Sequence, residues 1–444
     1  MTEREIYELL EAKQYKKIKE SFAEMNQVDL AELLGELPER QMLMAFRLIG
    51  KEEAAETFSC MESREQQILV EALTERELRA VLDDMFLDDT ADLLEEMPAN
   101  VVERILANTD WEIRRQLNLL LSYPEDSVGS IMTVEYVDLK PHMTVKASLE
   151  KIRRVGIDSE TIYTCYVIQN KKLLGIVTAK ALLISDERKS VEEIMESNII
   201  TVNTHDDQET AAKLVRKYGL IALPVVDREG CMVGIVTVDD AMEVMQDEVT
   251  EDIALMAAVA PSEDSYFGTS VFRHARNRIP WLLALMLSAT FTGLIINKYE
   301  AAFALLPHLV GFIPMLMDTS GNCGSQSSAL IIRGMAIDEI RLRDALRVIW
   351  KEIRVAALVS TTLAIVNGIR VYIMYQQDLK LAVLIGITLV CTVTLAELIG
   401  CSLPMLAKRC KLDPALMAAP LITTFVDAAA ITIYFSIATA LFNV

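Results

Sequence analysis

Asp427 is the only charged residue between positions 415 and 444, a stretch reading ALMAAPLITTFVDAAAITIYFSIATALFNV. A carboxylate near the middle of a membrane-length apolar segment costs roughly 2.5–3.5 kcal/mol on insertion scales, so it should face an aqueous pore or a bound cation rather than lipid. The alternative is structural glue, an Asp hydrogen-bonded to a neighbouring helix. A second polar interruption reads Phe312-Ile-Pro-Met-Leu-Met-Asp318-Thr-Ser-Gly-Asn322-Cys-Gly-Ser-Gln326. It is too polar and too rich in Gly and Pro for ordinary lipid-facing helix, and predicts broken helix lining a water-filled cavity. The carbonyls so freed, with Asp318, Asn322, Gln326 and Asp427, offer only hard oxygen ligands. Such sites select Mg2+ or Ca2+ over soft transition metals. Thr423 and Thr424, beside Asp427, complete the polar candidates for a pore lining. Glu397, deep in another apolar stretch, suits a pore or helix packing equally, and Glu352 suits a pore or an ion pair with a neighbouring Arg at the membrane interface equally.

A second set of carboxylates lies well before these. From Val238 onward, Asp239, Asp240, Glu243, Asp247, Glu248, Glu251 and Asp252 recur at helical spacings. They put several acids on adjoining faces of one helix, where like charges destabilise it unless cations screen them. The run containing Asp83, Asp84, Asp88, Asp89, Asp92, Glu95 and Glu96 is equally acidic, and its default reading is a solvated helix face.

The charge balance divides the chain in the same way. Residues 1–272 hold 28 basic and 54 acidic side chains, and residues 273–444 hold 15 and 10, so the net charge of −21 combines an acidic first part at −26 with a basic second part at +5. An acidic soluble part argues against nucleic acid as a partner and suits cations. The seven cysteines are far apart with no C-x-x-C pair, and the four histidines are scattered, so neither a disulfide framework nor a zinc site is indicated. The N-terminus is charged from its third residue without an apolar core, which predicts no cleaved signal peptide and a soluble part in a reducing cytosol.

The elements that must position these acids form a multidomain chain. Residues 1–125 carry apolar positions at helical spacing and read as an all-α superhelix. Its segment 29–38 (DLAELLGELP) matches 89–98 (DTADLLEEMP) at a period of 60. A second repeat fills 126–245. Val128-Gly-Ser-Ile-Met132 parallels Val191-Glu-Glu-Ile-Met195, and Leu174-Gly-Ile-Val-Thr178 parallels Val233-Gly-Ile-Val-Thr237. Two copies of one α/β unit, 126–188 and 189–245, look like a tandem cystathionine-β-synthase (CBS) pair, a regulatory module that binds nucleotides or ions. A connecting helix is expected over 246–272, running unbroken toward the membrane. Five apolar stretches follow within 273–444, at 279–297, 301–317, 355–377, 381–406 and 415–444, the third interrupted by Arg370, the fourth carrying Glu397 and the fifth Asp427. Basic residues gather before the first, between the second and third, and between the fourth and fifth. The positive-inside rule then puts the N-terminal domains in the cytosol and the C-terminus outside.

The order of helical domain, CBS pair, acidic connector and five spans resembles the MgtE family of magnesium channels. So do Arg278-x-Pro-Trp-Leu282, the Phe312–Gln326 motif, and Asp413-Pro-Ala-Leu followed by Pro420-Leu-Ile-Thr-Thr-Phe-Val-Asp427. The resemblance implies a homodimer in the lipid of the cell membrane, with Asp427 of both subunits as the selectivity carboxylate on the two-fold axis. It implies regulatory Mg2+ at Asp240, Glu243, Glu248 and Glu251, and at Asp88, Asp89 and Asp92, with ATP as a further ligand of the CBS pair. The function expected is potential-driven Mg2+ influx closed by cytosolic Mg2+; no Walker A loop occurs to suggest ATP-driven pumping. The alternatives are a secondary divalent-cation transporter coupled to H+ or Na+ and a nucleotide-sensing membrane receptor. No nucleophile, base and orienting group can be assembled for an enzyme.

Overall fold

A computed structural model describes all residues except 1, 158, 263–265, 267–268, 300–306, 376–377, 418 and 443–444. The chain forms two compact units, Met1–Gln246 and Asp247–Val444.

The first unit begins with ten short helices, from α1 (Glu3–Glu11) to α10 (Trp111–Leu120). At eight to ten residues each they are too short to be stable alone, so packing must hold them. The 60-residue period shows how. In α3 (Gln27–Gly35) the buried residues are Leu30, Ala31, Leu33 and Leu34, and in α8 (Leu87–Glu96) Thr90, Ala91, Leu93 and Leu94 occupy the same register. Leu37 and Met97 are buried one step further on, and Pro38 and Pro98 each cap the next helix.

The CBS pair follows as two three-stranded sheets of identical topology, with helices α11 (Val145–Val155), α12 (Ala179–Ile184), α13 (Val191–Ile194) and α14 (Gln208–Tyr218) in their connections. The strands are β1 (Tyr136–Leu139), β2 (Thr161–Gln169) and β3 (Lys172–Thr178), then β4 (Val202–Asn203), β5 (Ala222–Val226) and β6 (Met232–Thr237). In each sheet the first strand runs parallel to the second and the second antiparallel to the third. The repeated motifs pair crosswise. Thr133, just after the first Ile-Met, bridges Ile235 in the second Gly-Ile-Val-Thr, and Glu196, just after the second Ile-Met, bridges Ile176 in the first. The two glycines permit that approach: a Cβ on Gly234 would lie 2.6 Å from the Thr133 carbonyl oxygen, and one on Gly175 would lie 2.7 Å from Met195 Sδ.

Helix α15 (Val238–Met256) leaves the second sheet directly. The connector expected over 246–272 is not one helix. It stops at Met256, where Ala258 takes a left-handed backbone (φ 55°), Val259 N–H donates to the Ala254 carbonyl and Pro261 follows. That is a Schellman-type stop. Positions 263–265 and 267–268 of the expected connector lie outside the described residues.

In the second unit, the long helices are α16 (Val271–Lys298), α17 (Ile313–Ala336), α18 (Ala345–Met374), α19 (Leu379–Arg409) and α20 (Ala419–Phe442). Among the described residues four stretches are long and apolar enough to cross a membrane: Val271–Lys298, Leu342–Met374, Leu379–Arg409 and Pro414–Phe442. The second expected span, 301–317, is not among them. Residues 301–306 lie outside the described part, Pro307–Phe312 is a 3-10 turn, and the polar motif forms one continuous 24-residue helix, α17. The motif is therefore intact helix, not the broken helix expected. Pro314 sits in the first turn, where its missing N–H is not needed. The glycines serve close packing instead: a Cβ on Gly324 would meet the Ala396 carbonyl oxygen at 3.0 Å, and one on Gly400 would fall on the Gly324 carbonyl. At 24 residues α17 would be about 36 Å long, enough for a bilayer core. Its inner face is buried against other helices at Ser320, Gly321, Gly324, Ser327 and Ser328.

Candidate cation-binding sites

In the helical unit, Asp318, Asn322 and Gln326 recur every fourth residue on α17 and form an exposed stripe, opposite the buried serines and glycines. Helix α20 lies alongside. A Cβ on Gly321 would stand 3.2 Å from Thr423 Cγ2 and 4.0 Å from Asp427 Oδ1. Asp427 is half-buried there, with Asp318 as the charge acting on it. The Thr423 and Thr424 hydroxyls donate to the Pro420 carbonyl at 3.0 and 3.1 Å, which leaves their oxygen lone pairs free to accept from water. Asp318, Asn322, Thr423, Thr424 and Asp427 thus belong to one neighbourhood of α17 and α20, and Gln326 extends the stripe by one turn.

Glu397 stands elsewhere. It is 4% exposed, inside the packing of α17, α18 and α19, and the charge facing it is Glu352. Glu352, a candidate for the pore or for an interfacial pair with Arg, is buried and accepts a 2.7 Å hydrogen bond from Ser327 Oγ.

The cytosolic acids converge within the first unit. Asp88, Asp89 and Asp92 on α8 face Asp240 and Glu243 on α15. Asp240 is also the third residue of α15, accepting from Thr237 N–H at 3.2 Å and from the Thr237 hydroxyl, so it caps the helix while facing the other acids. Sequence reasoning misses three members. Asp239 reads there only as part of a helix face, and Glu160 and Glu135 come from the first CBS unit with no local pattern to mark them. Glu135 accepts the Leu87 N–H at 3.0 Å and so ties the first turn of α8 to the CBS pair.

The cost of this crowding is visible in protonation. Burial, reinforced by Asp89, Asp240 and Glu160, pushes Asp88 up to about 9. Burial, then Asp240 and Asp89, pushes Asp92 up to about 8 although its side chain keeps contact with solvent. Burial with Asp239 and Asp240 takes Glu160 to about 7, and burial with Asp240 takes Asp89 to about 6. Asp240 is raised by burial against the opposing effect of the Thr237 hydroxyl. Glu248 and Glu251, on later turns of α15, belong to the second unit. Among the described residues no three His, Cys, Asp or Glu side chains are arranged to hold a metal ion unaided. Mg2+, which keeps several of its waters and takes only one or two carboxylates directly, fits such a spacing.

Comparison with known proteins covers the same regions. Residues 25–126 match the model of the MgtE intracellular N domain, 128–186 and 191–247 match the CBS domain, and 313–437 match the MgtE divalent cation transporter domain. The magnesium transporter MgtE of Thermus thermophilus is 36% identical over 98% of this chain and 97% of its own length. That of Bacillus subtilis is 30% identical over 94% and 92%. Among solved structures, the cytosolic domain of the Mg2+ channel MgtE in complex with ATP is similar to 54% of this chain and 98% of its own (36% identity, TM-score 0.51). The soluble part of a magnesium transporter is similar to 55% and 97% (26% identity, TM-score 0.52).

Proposed function

Because the chain belongs to the MgtE family of divalent cation transporters, and is a transporter rather than an enzyme, we propose that it is a Mg2+ channel. It would pair as a homodimer across the polar face of α17 and α20 in the cell membrane. The observation that carries this reading is the exposed stripe of Asp318, Asn322 and Gln326 beside half-buried Asp427. In a lone chain that stripe would meet lipid, where a charged side chain at mid-depth is costly. A second copy related by a two-fold axis turns it inward and doubles every carboxylate. Two Asp427 side chains then hold one hydrated divalent ion through its waters, so hydrated size and charge select the ion. The driving force needs no coupled ion: a divalent cation gains about 4.6 kcal/mol per 100 mV on entering a negative interior.

Mg2+ at the cytosolic acids would be the closing signal. With α8 and α15 bringing five or more carboxylates together, the cation-free cluster repels itself, and bound Mg2+ relieves the repulsion. Helix α15 carries the change, since it starts in the acid cluster and continues into the second unit. Five spans, with α17 as the protein-enclosed one, put the C-terminus outside. The ATP complex of the related cytosolic domain supports ATP as a ligand of the CBS pair here.

The decisive experiment is patch recording of reconstituted protein with Mg2+ varied separately on each face. A Mg2+ current that ends as cytosolic Mg2+ rises is expected. Uptake that requires an imposed H+ or Na+ gradient would replace the channel with a coupled transporter.

A further inference from the structure

The crossing of α17, α18 and α19 contains a group that the pore does not use. Glu397 is 96% buried, and its Oε2 atom has neither solvent contact nor a hydrogen-bond partner among the described residues. Among those residues no Lys, Arg or His acts on it; the charge it faces is Glu352, itself 9% exposed. Ser327 joins the two, its hydroxyl lying 2.7 Å from Glu352 Oε2 and 3.3 Å from the Glu397 carbonyl oxygen. An uncompensated carboxylate in such a place costs several kcal/mol, and two facing each other cost more. A bound cation or a proton must neutralise the set.

A second observation points the same way. Ser360 Oγ on α18 and Thr388 Oγ1 on α19 are also fully buried without partners among the described residues. The helices are antiparallel, with Gly386 set against Ala364 and Gly368 against Ala382. That register puts Ser360 near Thr388 and Glu352 near Glu397, two levels about 12 Å apart along one seam. In the helical unit from α16 on, the buried side-chain atoms without partners, among the described residues, are these three alone: Glu397, Ser360 and Thr388. Buried polar groups are ordinarily paired or hydrated, so the seam is built for polar occupants.

We propose that each chain holds a divalent cation of the hard, oxygen-seeking class between Glu352, Glu397 and Ser327, inside the protomer and separate from the Asp427 face. Two carboxylates balance two positive charges. The Ser327 oxygen and the Glu397 carbonyl supply neutral ligands. With only two carboxylates the ion keeps part of its water shell, as Mg2+ and Mn2+ do. The bound ion ties α17 to α18 and α19, the helices against which the polar stripe is mounted.

The test counts Mn2+ bound to the full chain in detergent by electron paramagnetic resonance at saturating metal. Glu397→Gln and Glu352→Gln should each lose one Mn2+ per chain relative to the unaltered protein, the double variant should lose that same one, and Asp427→Asn should retain it. An unchanged count in both Gln variants overturns the site, as does a loss of two in the double variant. Anomalous diffraction from Mn2+-grown crystals of the unaltered protein needs no variant. A peak among Ser327, Glu352 and Glu397 is expected, and its absence when other sites are filled refutes the proposal even where the variants fold poorly. Infrared spectroscopy tests the remaining occupant. A protonated-carboxyl band that vanishes in Glu397→Gln but persists at saturating Mn2+ would assign the place to a proton.

Discussion

The cytosolic cluster and the helical unit both gather acids, by opposite means. In the first, Asp88, Asp89, Asp92, Glu160 and Asp240 crowd together with Asp239 and Glu243, and burial with the neighbouring charges raises the protonation range of those five. In the second, acids are few and spaced, and glycine and serine let whole helices approach so that single carboxylates are held by packing. A region of mutual repulsion responds to cation concentration with a change of shape. A region of close packing presents fixed ligands and discriminates. Under the proposed function, sensing and selecting would call for different densities of the same functional group.

The largest expected effect tests the fixed ligands. Asp427→Asn should abolish selective Mg2+ current while the protein still assembles, because it keeps the size and removes both charges from a two-fold site. Unaltered conductance and selectivity in a properly folded Asn variant would remove Asp427 from the pore. Packing comes next. Gly400→Ala would set a methyl on the Gly324 carbonyl, backbone against backbone, and should cost about 1–3 kcal/mol or more, read as a lowered unfolding temperature. An unchanged midpoint would mean that α17 and α19 do not cross there.

The crowded region should respond to pH with a defined sign. Its acids have folded values above their ordinary range, so the folded state binds more protons than the unfolded one between about 4 and about 9, the range set by Asp88. Stability without Mg2+ should therefore be greatest below about pH 4 for these groups and fall as pH rises through Glu160, Asp92 and Asp88, with Mg2+ restoring most of it at the alkaline end. Thermal unfolding with and without Mg2+ reads this directly, and a midpoint that rises with pH in the absence of metal would break the comparison. Replacing Asp240, Glu243, Glu248 and Glu251 together by Ala should leave the channel open at cytosolic Mg2+ that closes the unaltered protein. Removing charge relieves repulsion but supplies no contact of its own, so losing the bridging ligands outweighs losing the repulsion. Closure over the same Mg2+ range would take these residues out of the sensor. The smallest effect belongs to Thr237→Ala, which removes the cap of α15 and should cost about 0.5–2 kcal/mol in the unfolding midpoint. Its Mg2+ response should change less than that of Asp240→Asn, and the reverse order would make Asp240 a cap before it is a ligand.

Regularities that recur along the chain are legible in the residues themselves. The 60-residue period pairs Leu30, Leu33 and Leu34 with Thr90, Leu93 and Leu94, and the fold buries both sets, because equivalent helices bury equivalent positions. The Ile-Met and Gly-Ile-Val-Thr repeats mark two copies of one sheet, and two such sheets form. Local composition misleads where packing overrides propensity. Pro314, Gly321 and Gly324 read as helix breakers, yet the proline falls in the first turn and the glycines meet neighbouring helices. The stop at Met256 depends on a left-handed Ala258, which nothing in the residue type announces. Glu135 and Glu160 join the acid cluster through tertiary folding alone, and the burial of Glu352 with Ser327 likewise requires the helices to be assembled first.

The crosswise bridges of the CBS pair carry a consequence for biosynthesis. Thr133 finds its partner only when Ile235 has been made, about a hundred residues later, and Ile176 waits for Glu196. Neither half can complete its own edge, so the emerging chain has no finished first CBS unit to release while the second is under translation. Maturation of this module is therefore timed by the ribosome to the moment just before α15 and the first long apolar helix, α16, leave the exit tunnel.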